Sequence, residues 1–181
     1  SIRLLGNYAY IGTYPGGLQV VDITNPASPS PVGSWYTPYG LNEIEAQGHY
    51  LFINTDYFTI LDISNPANPV LYGQCRYATG EHLAVAGNYV YVSGFWWGLD
   101  IVDISAPSAP VKVGSFDTDG VISCTAVSGN HAYVCASHLR VLDASSPAVP
   151  IPVGQSSDEL FGQDLAVSGT YAYVAGTSWF G

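Results

Sequence analysis

Four stretches of this chain follow one pattern. Leu18–Ile23, Phe58–Ile63, Leu99–Ile104 and Leu139–Ala144 are apolar, strand-like runs with an aspartate in fifth place, and a Pro-x-x-Pro segment follows each of them. Self-similarity at a period of about 40 residues marks stacked or radial copies of one supersecondary unit. It also restricts where function can lie. A residue found in every copy serves the copy's own architecture, so specific chemistry falls to residues that break the pattern.

Each copy carries a two-residue turn: Gly6-Asn7, Gly48-His49, Gly87-Asn88, Gly129-Asn130 and Gly169-Thr170, with the glycines 42, 39, 42 and 40 residues apart. Pairs tolerant of positive φ suit the primed turns that join short antiparallel strands. Runs such as Tyr50–Ile53 and Tyr89–Val92 follow, and aromatic and β-branched residues at that density read as strand. A copy therefore has four strands: A ending at the turn, B rich in Tyr, C ending at the aspartate, and D around Gly33, Gly73, Gly114 or Gly154. Four-stranded units of roughly 40–45 residues are propeller blades. No window has a 3.6 period and Pro is spread through every copy, which excludes a helical solenoid. The expected fold is an all-β β-propeller of antiparallel blades at 1–37, 38–77, 78–118 and 119–158, with half of a fifth at 159–181.

The pattern Gly-Asn-Tyr-(Ala/Val)-Tyr-Val, then Gly-Leu-x-(Val/Ile)-Val-Asp-Ile-(Ser/Thr)-x-Pro-x-x-Pro, then Val-Gly-Ser, resembles the LVIVD repeat and covers nearly the whole chain. Departures are local: Ala144 and His131 in the fourth copy, and Tyr57-Phe58 in place of Gly-Leu in the second. The resemblance implies a β-propeller of bacterial or archaeal surface or secreted proteins, generally without a defined activity.

Fourteen acids stand against four Lys and Arg residues, a net charge of -10. That disfavours nucleic acid, which needs a basic stripe, and docking on anionic lipid. The apolar runs are strand-sized, so no transmembrane helix or direct membrane insertion is expected. One Lys among many Tyr, Ser, Thr and Gly leans toward an extracellular or cell-surface location. The chain starts at Ser1 and contains no Met, and reads as a processed product or a fragment. Missing blades, or a homo-oligomer, would complete the ring.

Asp22, Asp62, Asp103 and Asp143 are framework residues, placed to hold the C–D corner through backbone N–H bonds. The other ten acids (Glu43, Glu45, Asp56, Glu81, Asp100, Asp117, Asp119, Asp158, Glu159 and Asp164) fall in or beside the B–C and D–A connections. Those connections share one face of a meander blade, which marks it as the working face. Trp96 and Trp97, flanked by Gly94 and Gly98, suit stacking on a sugar or anchoring an interface. Five residues before each turn glycine stand Ser1, Glu43, His82, Cys124 and Asp164, which would ring the channel mouth. Glu43, His82 and Asp164 are candidate ligands of a divalent cation. Packing between blades is the competing role for the aromatics, and solvation of loops for the acids.

No nucleophile elbow, phosphate loop or Cys-x-x-Cys pair is present. The expected function is a non-catalytic extracellular module for binding, adhesion or assembly. Its protein or carbohydrate ligand would meet Glu43, Glu81, His82, Asp164, Trp96 and Trp97. The alternatives are a propeller enzyme acting on carbohydrate, with paired carboxylates as acid and base, and a purely structural assembly subunit. Three cysteines preclude a complete disulfide framework. Counting outward from Ser128 and His131 across their two-residue turn sets Cys124 opposite Cys135 at a hydrogen-bonded position. The chains are wider apart there, so free thiols are expected, with Cys75 isolated on an outer strand.

Overall fold

The computed structural model describes residues 1–94, 98–118 and 120–177. It is an all-β propeller with four complete blades and a partial fifth. Strands β1 (Ile2–Leu5), β2 (Tyr8–Thr13), β3 (Gly17–Asp22) and β4 (Ser30–Trp35) form the first sheet. The second is β5 (Ile44–Gln47), β6 (Tyr50–Asn54), β7 (Phe58–Asp62) and β8 (Val70–Cys75). The third is β9 (His82–Ala86), β10 (Tyr89–Gly94), β11 (Gly98–Asp103) and β12 (Val111–Phe116). The fourth is β13 (Cys124–Ser128), β14 (His131–Cys135), β15 (Leu139–Asp143) and β16 (Ile151–Gln155). A hairpin of β17 (Phe161–Ser168) and β18 (Tyr171–Thr177) completes the described chain. Each sheet is an antiparallel meander.

The turns have one feature that composition left open. Gly6, Gly48, Gly87, Gly129 and Gly169 have φ between 57 and 63°, whereas no non-glycine residue among those described has positive φ. Positive φ at the first central position alone is the type II′ pattern, so the following Asn, His or Thr does not need αL tolerance. That residue contributes its carbonyl instead. Asn7, His49, Asn88 and Asn130 accept the N–H of Ile23, Ile63, Ile104 and Ala144 at 2.7–2.8 Å, tying each A–B turn to its C–D corner.

At that corner the framework aspartates act as expected. The Oδ1 atoms of Asp22, Asp62, Asp103 and Asp143 accept the N–H two residues on, at 2.7–2.8 Å. Hydrogen bonds from Thr24 and Ser64 hold Asp22 and Asp62 below the usual carboxylate range, and those from Ser145 do the same for Asp143. A carboxylate whose pKa is lowered by folding stabilises the fold above its unfolded pKa, and that contribution is lost as pH falls through the folded value. The melting temperature should therefore fall as the pH drops below about 3.8. A triple variant with Asn at 22, 62 and 143 should be less stable at neutral pH and show a shallower acid limb. An unchanged limb would refute this account of the corner.

The core is a series of layers between sheets, because strand alternation turns one face of each sheet to the next. Leu18 and Val20 pack with Leu51, Ile53 and Leu61; Phe52, Phe58 and Ile60 with Val90, Val92 and Val102. Leu99 and Ile101 pack with Ala132, Val134 and Leu142. Full burial of each of these Val, Leu, Ile and Phe side chains stabilises by roughly 1.5–3 kcal/mol. Phe58, in the place of the repeat's Leu, stacks on Phe52 with centroids 6.1 Å apart. At equivalent places in strand B, Tyr10 and Tyr91 are buried and Tyr133 is half-buried, while Tyr173 is 59% exposed. Its face has no following sheet among the described residues.

Every C–D pair has the same register shift, after Val20, Ile60, Ile101 and Val141. Opposite those residues lie Gly33, Gly73, Gly114 and Gly154. The first three face the carbonyls of Pro66, Pro107 and Pro147, each in the next blade's C–D corner, so closely that no Cβ would fit. The framework prolines and glycines thus form a repeated contact between neighbours.

Candidate binding site in the central channel

The B–C and D–A connections share a side. Tyr14 of the β2–β3 connection lies against Gly40 of the β4–β5 connection. The Tyr39 hydroxyl donates to Asp56, which pushes the Tyr39 pKa up, and the Arg76 guanidinium lies 5.5 Å from the Tyr57 ring centroid. Trp96, Trp97 and Asp119 lie outside the described residues.

Strands β1, β5, β9, β13 and β17 are the innermost. Between them is a cavity of about 430 Å³, lined in part by Ser1, Arg3, Glu43, Glu45, Thr125 and Asp164. Arg3 is ion-paired with Glu45 and donates through Nε to the Ile44 carbonyl. Glu43 and Asp164 contribute further negative charge, and His82 Nδ1 stands 3.6 Å from Glu43 Oε2.

The ring positions also have a structural task that the sequence did not reveal. An innermost strand has a ladder partner on one side only, which leaves N–H groups to be satisfied from elsewhere. Ser1 Oγ accepts the N–H of Ile44 at 3.2 Å, and Glu43 Oε2 accepts that of Leu83 at 2.6 Å, each reaching into the next blade. Ser93 Oγ and Thr125 Oγ1, 2.5 Å apart, join the third blade to the fourth. Asp164 Oδ1 turns to its own strand and accepts the N–H of Leu165 at 2.8 Å. Acceptor side chains at one position in successive copies were the available signal.

Several sequence expectations need correction. Cys124 does not face the channel; it is buried with Cys135 and Leu165 where β13 and β14 meet β17. Glu43 and His82 meet, but Asp164 does not join them. Among the described residues no three His, Cys, Asp or Glu side chains gather as a metal site, so the proposed divalent-cation set is not assembled. The carboxylates of Glu43 and Asp164 are instead engaged with backbone N–H groups. Glu81 precedes β9, donates its N–H to the Ser93 carbonyl at 2.8 Å, and is not among the residues lining the cavity.

Asp100 does not belong to the acidic face. It is 4% exposed, with Lys112 Nζ 2.6 Å from its Oδ1. Its position in the C strand is a polar slot in other copies too: Gln19 Nε2 donates to the Gly33 carbonyl, and Gln74 Nε2 to Thr59 Oγ1. Burial holds the Asp100 pKa above the usual carboxylate range, and Lys112 only partly offsets it.

The register sets Cys124 opposite Cys135, and all three cysteines are free and buried. The Cys124 thiol hydrogen-bonds to Cys135, which, with burial, keeps Cys124 protonated. No helix among the described residues is long and apolar enough to cross a membrane.

The family described as LVIVD repeat matches residues 1–37, 42–77, 78–118, 120–157 and 162–178. No match is found among curated proteins. Among solved structures, the computationally designed Ika8 protein is similar in fold, with a TM-score of 0.76 at 13% sequence identity. The alignment covers 97% of this chain and 54% of that one, so the chain spans about half the length of that structure.

Proposed function

Because the chain belongs to the LVIVD-repeat family, whose framework leaves specific chemistry to non-framework residues, we propose a non-catalytic extracellular module for binding and adhesion. Its ligand is a basic segment of a partner protein, taken at the central channel. The observation that carries this reading is the cavity between the innermost strands, lined by three carboxylates and one guanidinium. Two of those carboxylates, Glu43 and Asp164, have no Lys or Arg partner among the described ion pairs. Self-repulsion among such groups is relieved by a cationic partner, and the association weakens with salt. The extracellular assignment rests on composition alone: one Lys among 181 residues, and 14 Tyr.

Titration with Lys- and Arg-rich peptides should show salt-sensitive binding. Glu43→Gln and Asp164→Asn should each weaken it roughly two- to fivefold, the range for exposed charge pairs. Both variants keep an acceptor for the backbone N–H, so charge is tested apart from the hydrogen bond. Peptide binding unchanged by both would refute the site. One observation favours an enzyme instead, the approach of His82 to Glu43, which could place an acid and a base side by side. A glycan panel separates the readings: glycan cleavage lost in Asp164→Asn supports the enzyme, whereas glycan retention without turnover assigns a carbohydrate ligand.

A further inference from the structure

We propose that Cys124 and Cys135 form a two-coordinate site for a soft monovalent cation, copper(I) or its analogue silver(I), at the seam between β13–β14 and β17. The two residues are directly opposite in the strand register, and their thiols are buried and free. A Cβ added at Gly162 would lie 2.9 Å from the Cys135 sulfur and 3.0 Å from that of Cys124. Both sulfurs therefore press on one point of the β17 backbone, beside the register shift between Gly162 and Asp164. Leu165, Leu139 and Val174 complete an apolar shell.

Strand geometry selects the ligand. The Ser128–His131 pair closes the two-residue turn as a hydrogen-bonded pair, and alternation gives the cysteine pair the same character. Opposed Cβ atoms at such positions stand about 5.5 Å apart, whereas a disulfide needs about 3.5–4.5 Å. That spacing disfavours an S–S bond and leaves room for an S–metal–S bridge. Among the described residues no third His, Cys, Asp or Glu joins the pair, so the four-ligand shell that structural zinc needs is not supplied. Thiolates and low coordination select copper(I). On binding, each S–H loses its proton to solvent and each sulfur forms one bond to the cation, with no change of oxidation state. Entry requires β17 to separate locally from β13 and β14, a sub-global opening.

The test is anaerobic titration of the reduced protein with silver(I), with copper(I) competition against a bathocuproine chelate. One ion per chain is expected. Cys124→Ser and Cys135→Ser should each lower affinity by more than the roughly 100-fold that loss of an outer-shell partner costs. Cys75→Ser should leave affinity unchanged. Gly162→Ala, with both thiols intact, should weaken binding roughly 10-fold by displacing the sulfurs. X-ray absorption of the copper(I)-loaded wild-type protein should show two sulfur scatterers, a readout that stands even if the serine variants unfold. Failure to compete with the chelator, retention by Cys124→Ser, or three or more sulfur scatterers would overturn the site. So would a Cys124–Cys135 disulfide recovered after treatment with oxidised glutathione, since the spacing argument would then be wrong.

Discussion

Gly114→Ala should be among the most damaging single substitutions in this chain, lowering stability by about 3 kcal/mol or more. A Cβ there would overlap the Pro147 carbonyl oxygen and lie 3.1 Å from Ala148 Cα. These are backbone atoms of the next blade, so no side chain can rotate away and the two sheets must part. At roughly 2–4 °C per kcal/mol for a chain of this size, the melting temperature should drop by about 6–12 °C. Gly154 is the internal control. It holds the equivalent register position opposite Val141, yet the nearest atom to its Cβ would be 3.8 Å away, on Val141 itself. Gly154→Ala should change stability by no more than about 0.5 kcal/mol. Equal losses in the two variants would show that the repeat requires glycine for backbone reasons and not for contact between blades.

The second large effect is expected at Lys112. Removing its amine leaves the Asp100 carboxylate charged, 4% exposed and without its partner. Breaking such a pair from one side costs about 3 kcal/mol, taken at the low end because Lys112 keeps some contact with solvent. The pH dependence identifies the cause. Asp100 already titrates above 3.8 because of burial, and loss of Lys112 raises it further. A carboxyl whose pKa is raised by folding is stabilised by protonation, so the gap between Lys112→Ala and wild type should narrow as pH falls through that raised value. The double variant Asp100→Asn, Lys112→Met should recover most of the loss at neutral pH. A gap that is constant with pH would assign the effect to the methylene packing of Lys112 instead.

The blades were legible because their signals are local. Two-residue turns fix the A–B register, so the Cys124–Cys135 pairing could be counted from Gly129-Asn130 alone. The alternation of Tyr and Val in strand B separates the faces of the sheet in the same way. What could not be read depends on docking between copies. Glu43 looks like a free ligand until Leu83, 40 residues away, is placed against it. Asp100 looks solvent-facing because its partner lies beyond a register shift in the next strand, where simple alternation no longer predicts side-chain direction. Tyr10 is 1% exposed and Tyr173 59%, and only Tyr10 has a following sheet packed against it among the described residues, a difference that the strand's own sequence does not encode.

The three glycine–proline contacts run in one sense along the chain, with the first, second and third sheets each resting on the next. Every such term couples nearest neighbours alone, which is the condition for a linear cooperative array. Among the described residues the second and third sheets carry two such terms, the first and fourth one each, and the β17–β18 hairpin none. Hydrogen-exchange protection should therefore be graded, highest in the second and third sheets and lowest in the β17–β18 hairpin. A defect at Gly73 should weaken the coupling between the second and third sheets and broaden the melting transition, whereas one at Gly154 should leave its width unchanged.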